Sequence, residues 1–283
     1  MKNMISLLVL ILLLSACGQN TANDPIDVNY KSGTEGIDIQ LVPNHPPSRI
    51  FEGTSFTIAA QISNKGAYDT FGRIAIIGLD QTYTPIREQE IEMLPLKGRS
   101  ESNTLGDFYV QEFFGEQTNV PPGAKEYRAK YLLLAIYEYM TILNADVCIN
   151  PALLDIEREQ SSCTVQAKQR FSGQGAPIAF TQVEEVVTPA GEDVRIEFVF
   201  TIENRGRGDV FSPIRIDDVR LGTKPLTCNK REITEDELKQ KRNIVVCSRT
   251  EPRQGAYTSA LSATLQYTYK TTAPGEFIVQ RIR

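Results

Sequence analysis

The sequence predicts an all-β fold built from two tandem β-sandwich domains, and two observations support that prediction. First, apolar residues occupy every second position in several segments, which is the period of a strand buried on one face. The clearest case is the segment 194–202, whose apolar positions are Val194, Ile196, Phe198, Phe200 and Ile202. Second, the two halves of the chain repeat each other, so each half is predicted to form its own sandwich.

The repeat consists of two patterns that occur in the same order in both halves. One is Ile-x-Asn-(Lys/Arg)-Gly-x-x-Asp-x-Phe, which begins at Ile62 and again at Ile202. The other is Tyr-x-Tyr, which begins at Tyr137 and again at Tyr267. Two matched patterns in matching order indicate a tandem duplication. The Tyr side chains share the apolar face of their strands, so we expect them in the core with each hydroxyl bonded to a backbone group.

The N-terminal region predicts export and attachment to a membrane. Within residues 1–16, the apolar run Ile5–Leu14 is shorter than the roughly 20 residues that span a bilayer, so this region reads as a removable signal peptide. The run ending at Cys17 resembles the lipobox of prokaryotic lipoproteins, in which the cysteine is lipidated. We therefore expect a lipid-anchored chain on the extracytoplasmic face of a cell membrane, at the cell surface or in the periplasm. An ordinary signal peptide with an incidental cysteine is the alternative.

The rest of the chain divides at segments poor in apolar residues. Residues 17–36 would be the lipidated cysteine and a flexible tether, residues 37–172 the first domain and residues 178–283 the second. Small residues over 173–177 mark the linker between them.

The formal net charge of −5 argues against nucleic acid as a partner, because phosphate binding needs clustered lysine and arginine.

The four remaining cysteines predict two disulfides. An even number in an exported chain is typical of disulfide bonding, and proximity in sequence favours Cys148–Cys163 and Cys228–Cys247. A four-cysteine zinc site is the alternative, but such sites usually contain cysteines two to four residues apart, and this chain has none.

Each cysteine pair brackets a predicted short helix. The first covers 151–160, where Asn150 suits the N-cap and Pro151 the first helical position. It would cover the outer face of the first Tyr-x-Tyr strand, which is apolar on both faces. The second covers 234–242 and begins with the capping-box pattern of Thr234 and Glu237. Each domain would thus have a disulfide-bracketed helical insertion.

The repeated motifs resemble the immunoglobulin-like sandwiches of prokaryotic cell surfaces. Within that group, the chain is most similar to CARDB-like modules of archaeal and bacterial exported proteins. The likeness rests on 62–71, on 202–211 and on the two Tyr-x-Tyr strands. It implies an immunoglobulin-like fold for both domains of a surface lipoprotein and a binding or structural role. It supplies no catalytic residue.

The sequence offers little that could perform catalysis. The single histidine, His45, lies in a proline-rich run where we expect it to meet solvent. No phosphate-binding loop, nucleophile elbow or metal-binding histidine pair occurs. Asp217 and Asp218 could contribute to a Ca²⁺ site, but without the acid spacing of a dedicated loop a solvated turn is the better interpretation. We therefore expect no enzyme, cofactor or metal. A carboxylate-dependent hydrolase is a minor alternative, since paired carboxylates need no proximity in sequence.

An aromatic segment is the best candidate for a contact surface, at Phe108, Tyr109, Phe113 and Phe114. Adjacent aromatics cannot both face one side of a strand, so either Phe113 or Phe114 would be exposed or covered by the other domain or a partner. An inter-domain contact and an external binding patch both remain open. The expected function is a non-catalytic binding or adhesion module with a protein or glycan partner. A structural subunit of a cell-envelope assembly is the alternative.

Overall fold

The computed structural model describes residues 30–151, 162–240 and 243–282. Four predicted features lie wholly or largely outside these residues: the signal peptide 1–16, Cys17, the tether 17–36 and the helix at 151–160. They remain predictions. No helix among the described residues is long and apolar enough to span a bilayer.

The described residues form an all-β structure with one short helix, as the alternating pattern predicts. The strands before the predicted linker are β1 (Ile37–Leu41), β2 (Arg49–Phe51), β3 (Phe56–Asn64), β4 (Thr70–Ile77), β5 (Glu90–Leu96), β6 (Phe108–Gly115), β7 (Glu126–Ile149) and β8 (Lys168–Arg170). The elements after it are β9 (Ile178–Ala190), β10 (Asp193–Asn204), β11 (Asp209–Val210), β12 (Ile214–Leu221), β13 (Lys224–Pro225), β14 (Thr227–Cys228), β15 (Glu232–Ile233), α1 (Glu235–Lys239), β16 (Ile244–Pro252) and β17 (Tyr257–Gln280).

These strands form three sheets, and one of them has several strands from each half of the chain. We call it the long sheet; its main path has the order β13-β12-β17-β7-β4-β5, and β2, β11 and β15 pair beside it. The first cover sheet has the order β1-β3-β6, and the second cover sheet has the order β14-β16-β10-β9-β8. β8 precedes the predicted linker, yet it pairs with β9 of the second half.

The seam between the halves is the antiparallel pairing of β7 with β17. Each strand has 24 residues, and the register runs from Glu126 opposite Gln280 to Ile149 opposite Tyr257. Strands in globular proteins usually have about 5–6 residues, so these two extend well beyond one sandwich. The two halves are therefore joined by a continuous ladder of backbone hydrogen bonds as well as by the covalent chain.

The four tyrosines of the repeated motif meet at the middle of the seam. Tyr137 lies opposite Tyr269, and Tyr139 lies opposite Tyr267. All four side chains are buried, and their rings contact one another edge-on or tilted. Burial raises the pKa of Tyr137 to about 12. The prediction that this motif faces the core is confirmed.

The hydrogen bonds of these tyrosines repeat between the halves. The hydroxyl of Tyr137 accepts a bond from the Ile37 amide at 3.1 Å, and the hydroxyl of Tyr267 accepts one from the Ile178 amide at 3.3 Å. Each bond joins the long sheet to the first residue of a cover-sheet strand, Ile37 of β1 or Ile178 of β9. The other two hydroxyls donate to the repeated asparagines, Tyr139 to Asn64 at 3.2 Å and Tyr269 to Asn204 at 2.8 Å. The repeated residues thus hold equivalent positions in both halves.

Both predicted disulfides are present, Cys148–Cys163 and Cys228–Cys247. Cys228 lies opposite Cys247 in the pairing of β14 with β16, which explains their closeness. Between them lies α1, a five-residue helix that is shorter than the predicted 234–242, whose residues 241–242 lie outside the described part of the chain. The predicted capping box of Thr234 and Glu237 is formed.

The segment predicted to be a linker, 173–177, packs against both halves. Residues 174–177 are buried. The carbonyl of Gly175 accepts a hydrogen bond from the Ala67 amide at 2.7 Å, and the carbonyl of Pro177 accepts one from the Arg205 amide at 2.8 Å. These bonds fix the segment in place, so it does not act as a free hinge.

The outer face of β7 is apolar, as the sequence indicates. Leu132, Leu134 and Ile136 are partly buried there, and Met140 is 36% exposed. The helix predicted to cover this face lies outside the described residues except for Pro151, so the cover remains a prediction.

Glu185 on β9 is a buried carboxyl group without a partner. It is 9% exposed, lies opposite Phe198 of β10, and neither carboxylate oxygen has a hydrogen-bond partner within the described structure. Burial raises its pKa from 4.5 to about 7. The folded chain therefore retains a proton that the unfolded chain releases at lower pH. The free energy of unfolding falls as the pH rises from 4.5, the ordinary pKa, to about 7, the pKa in the folded chain.

Glu185→Gln is expected to raise the free energy of unfolding by about 1–3 kcal/mol near pH 8, because the variant no longer buries a charge. Near pH 5 the wild-type carboxyl is already protonated in the folded state, so the gain should be small. Urea unfolding at both pH values measures the effect. Glu184→Gln is the matched control, since Glu184 forms a surface ion pair with Lys168 at 3.3 Å. A gain of equal size at both pH values would contradict the expectation.

Candidate binding surface

The aromatic segment singled out in the sequence is β6, an edge strand of the first cover sheet. It pairs antiparallel with β3 over the register from Phe56 opposite Gly115 to Ser63 opposite Phe108. The sheet order β1-β3-β6 places no further strand beyond it. The predicted contact residues therefore lie at the side of the sandwich, away from the seam.

The side chains of β6 alternate between solvent and core. Phe108 is 64% exposed, Val110 is 52% exposed and Phe114 is 52% exposed, whereas Phe113 is 1% exposed and Tyr109 is partly buried against the core. Of the four predicted contact residues, only Phe108 and Phe114 are on the surface. Phe113 packs in the core, and the second half of the chain does not cover Phe114. We call Phe108, Val110, Glu112 and Phe114 the outer row.

The backbone groups of the outer row point away from β3. The carbonyl of Asp107 accepts a bond from the Asn64 amide of β3 at 2.9 Å, whereas the carbonyl of Phe114 accepts one from the Arg87 amide at 3.1 Å on the opposite side. Because the direction alternates along a strand, the even-numbered residues of β6 face the open edge. In the described part of the chain, no backbone partner is bonded to that edge over Phe108–Glu112. The Glu112 carbonyl accepts a bond from the Gln111 side chain at 2.9 Å.

Charged side chains of both signs lie near the ends of this edge, and Glu112 lies within it. Arg87 and Glu116 form an ion pair at 3.7 Å where the segment Pro85–Arg87 lies against the end of β6. Glu88 and Glu112 form no ion pair with any described residue. An apolar row that carries one unpaired carboxylate would complement an apolar partner that carries positive charge.

A second exposed aromatic pair lies on the outer face of the long sheet. Phe71 is 56% exposed and Phe211 is 54% exposed, and both border a shallow cleft beside Glu138 and Thr268 at the middle of the seam. The Phe211 amide donates a hydrogen bond to the Thr268 carbonyl at 2.8 Å, and this bond holds the residue after β11 against β17. Both phenylalanines end the repeated sequence motif, which indicates a duplication and a fold resemblance but does not by itself predict a contact surface. The recurrence of an aromatic at that position is the signal that could have identified the pair.

The residues considered for catalysis or metal binding are dispersed. His45 is exposed, and its Nδ1 lies 3.0 Å from the Pro43 carbonyl oxygen. Asp218 has φ 52° and forms an ion pair with Arg220. Across the described ranges, no cluster of three or more histidine, cysteine, aspartate or glutamate side chains could hold a metal ion.

Comparison with known proteins identifies no family for this chain. No protein-family model matches it, and no curated protein matches its sequence. A search of solved structures aligns it with the CupB6 tip adhesin from Pseudomonas aeruginosa, at 9% identity over 88% of this chain and 99% of that chain. The TM-score is 0.19, too low for the alignment to support a conclusion about fold or function.

Proposed function

We propose that the chain is a non-catalytic binding or adhesion module, anchored by a lipid on Cys17 to the extracytoplasmic face of a membrane. The contact surface of this module is the outer row of β6, and the observation that carries the proposal is its three exposed apolar side chains on an unpaired sheet edge. Exposed aromatic residues of this kind are typical of interface centres. Phe71 and Phe211 are similarly exposed, but they lie on the face of a sheet whose strands are paired.

Further support comes from the compartment and the architecture. Two disulfides indicate an oxidising, extracytoplasmic environment. The sandwich-like packing of cover sheets on a long sheet agrees with tandem immunoglobulin-like domains of the CARDB-like type, which we keep as part of the proposal. The alternative role is a structural subunit of an envelope assembly, in which a protein partner permanently covers the outer row.

Cys17→Ser is expected to release the protein from membranes almost completely, because each buried lipid methylene contributes about 0.8 kcal/mol to anchoring. Partition between detergent and aqueous phases measures the change. Retention of both disulfides, checked by thiol alkylation and mass, controls for export. Continued partition of the variant into the detergent phase would contradict the lipid anchor.

The double variant Phe108→Ser and Phe114→Ser is expected to weaken partner binding by about 30-fold or more, since truncating a central aromatic typically costs at least 2 kcal/mol. Capture from detergent-solubilised membranes and binding to glycan arrays measure the loss. A stoichiometric protein partner would favour the assembly role, and a glycan ligand would favour adhesion.

The matched control for this variant is Phe71→Ser combined with Phe211→Ser, which removes two equally exposed phenylalanines from the other surface. Circular dichroism and thermal unfolding confirm that both double variants fold. If only the control variant loses binding, the contact surface is the cleft at the seam and the proposed surface is wrong.

A further inference from the structure

We propose that the open edge of β6 binds an extended segment of a partner protein, which adds to the first cover sheet as a fourth, antiparallel strand. This inference rests on the proposed function and specifies its binding mode. The partner segment would carry apolar residues at alternate positions and at least one lysine or arginine.

The first argument is the direction of the backbone groups. The amides of Phe108, Val110 and Glu112, and the carbonyls of Phe108 and Val110, face the edge and have no backbone partner in the part of the chain that the structure describes. These free amides and carbonyls alternate along the edge, with the spacing of hydrogen-bonding groups in a β-strand. A polypeptide backbone is complementary to such a row, and strand addition satisfies it through main-chain hydrogen bonds.

The second argument is that a short extended segment of the chain already pairs with the edge at one end. Ile86 forms an antiparallel bridge with Gly115, the Arg87 amide donates to the Phe114 carbonyl at 3.1 Å, and the Glu116 amide donates to the Pro85 carbonyl at 2.9 Å. After Arg87 the chain leaves β6 and enters β5 of the long sheet. The remaining edge, Phe108–Glu112, therefore continues a pairing that exists, and it sets an antiparallel direction for the added strand.

The third argument is the chemistry of the outer row. Side chains on neighbouring strands meet across one face of a sheet, so apolar residues of the added strand would contact Phe108 and Val110. A basic residue would lie beside Glu112, whose carboxylate forms no ion pair among the described residues. A second copy of this chain is disfavoured as the occupant, because β6 carries no lysine or arginine and both Glu112 carboxylates would stay without a charge partner.

Selection from a displayed pool of random ten-residue peptides tests the proposal on the full folded chain. We expect the enriched peptides to alternate apolar residues and to contain lysine or arginine. Methylating two alternate backbone nitrogens of an enriched peptide preserves its side chains but removes donors. This change should weaken binding by about tenfold or more, since each lost hydrogen bond contributes about 1 kcal/mol.

Val110→Pro tests the same bonds from the protein side. The Val110 amide points away from β3, and proline is tolerated at such an edge position. The variant should fold, by circular dichroism and thermal unfolding, and bind the peptide about tenfold more weakly or worse. Val110→Thr, which keeps the amide while making the side chain more polar than proline does, is the matched control and should bind more tightly than the proline variant. If the proline variant fails to fold, the methylated peptide on the wild-type chain decides.

The outcomes separate this proposal from the proposed function. If the Phe108 and Phe114 variants lose the native partner while Val110→Pro and the methylated peptide bind normally, strand addition is wrong and the contact surface stands. A selection that enriches no peptide, or one whose peptides bind elsewhere, overturns strand addition. Dimerisation of the purified chain that Val110→Pro abolishes would overturn the partner assignment, because the occupant would then be a second copy.

Discussion

Asn64→Ala is expected to lower the free energy of unfolding by about 3–5 kcal/mol. The Asn64 side chain is fully buried and makes four hydrogen bonds. Its amide group donates to the carbonyls of Tyr68 at 2.8 Å and Leu96 at 3.2 Å, and its oxygen accepts from the Gly66 amide at 3.1 Å and the Tyr139 hydroxyl at 3.2 Å. Removing it leaves buried polar groups without partners, which costs more than the net worth of the bonds.

Asn204→Ala is the matched control, because the repeat places it in the same local structure. Asn204 forms hydrogen bonds with Gly208, Gly206 and Tyr269 at 2.8–3.1 Å. Its side chain is exposed, so water can replace the hydrogen bonds that the substitution removes. We expect a loss of about 1 kcal/mol for this variant. Urea unfolding followed by tyrosine fluorescence measures both changes. Equal losses for the two variants would show that burial does not set the cost.

Neither half of the chain is expected to exist as a folded monomer when it is expressed alone. A fragment of residues 30–172 would expose the full edge of β7, which in the whole chain is paired along 24 residues with β17. It would also expose Tyr137 and Tyr139, which are buried at the seam. A long, apolar, unpaired strand is a site of aggregation or of self-pairing. The fragment should therefore aggregate or form a dimer in which two β7 strands pair.

Light scattering after size-exclusion chromatography measures the molar mass of the fragment and therefore its oligomeric state. Co-expression with a fragment of residues 173–283 is the control, and it should yield a soluble one-to-one complex because β17 then covers the edge. A well-folded monomer of residues 30–172, with cooperative thermal unfolding, would contradict this expectation. It would also favour the predicted boundary as a division between independent folding units.

Local patterns in the sequence predicted much of the fold. Alternation identified β10 and the inner face of β17, because the side-chain period of a strand is visible in the residues themselves. Proximity of the cysteines predicted both disulfides, and the capping box at Thr234 was correctly placed. The mixed outcome for Phe113 and Phe114 was also foreseeable in part, since the sequence required one of them to face outward but could not say which.

The seam could not be derived in the same way. Alternation shows which face of a strand is buried but not which strand lies beside it, so it does not reveal that β7 pairs with β17. The unusual length of both strands was the available signal. Glu185 was also missed, because a charged residue at an inward position reads as exposed unless its neighbours, such as Phe198 opposite it, are known.

The pairing of β7 with β17 also governs the order in which the molecule can assemble. Arg128 and Glu276, which form an ion pair across the seam, are 148 residues apart in the chain. Contacts of such sequence separation are slow to form because a long loop must close first. During synthesis the edge of β7 therefore stays unpaired until β17 has emerged. The folding rate of this protein is thus tied to the emergence of β17, and until then the unpaired edge of β7 is open to aggregation.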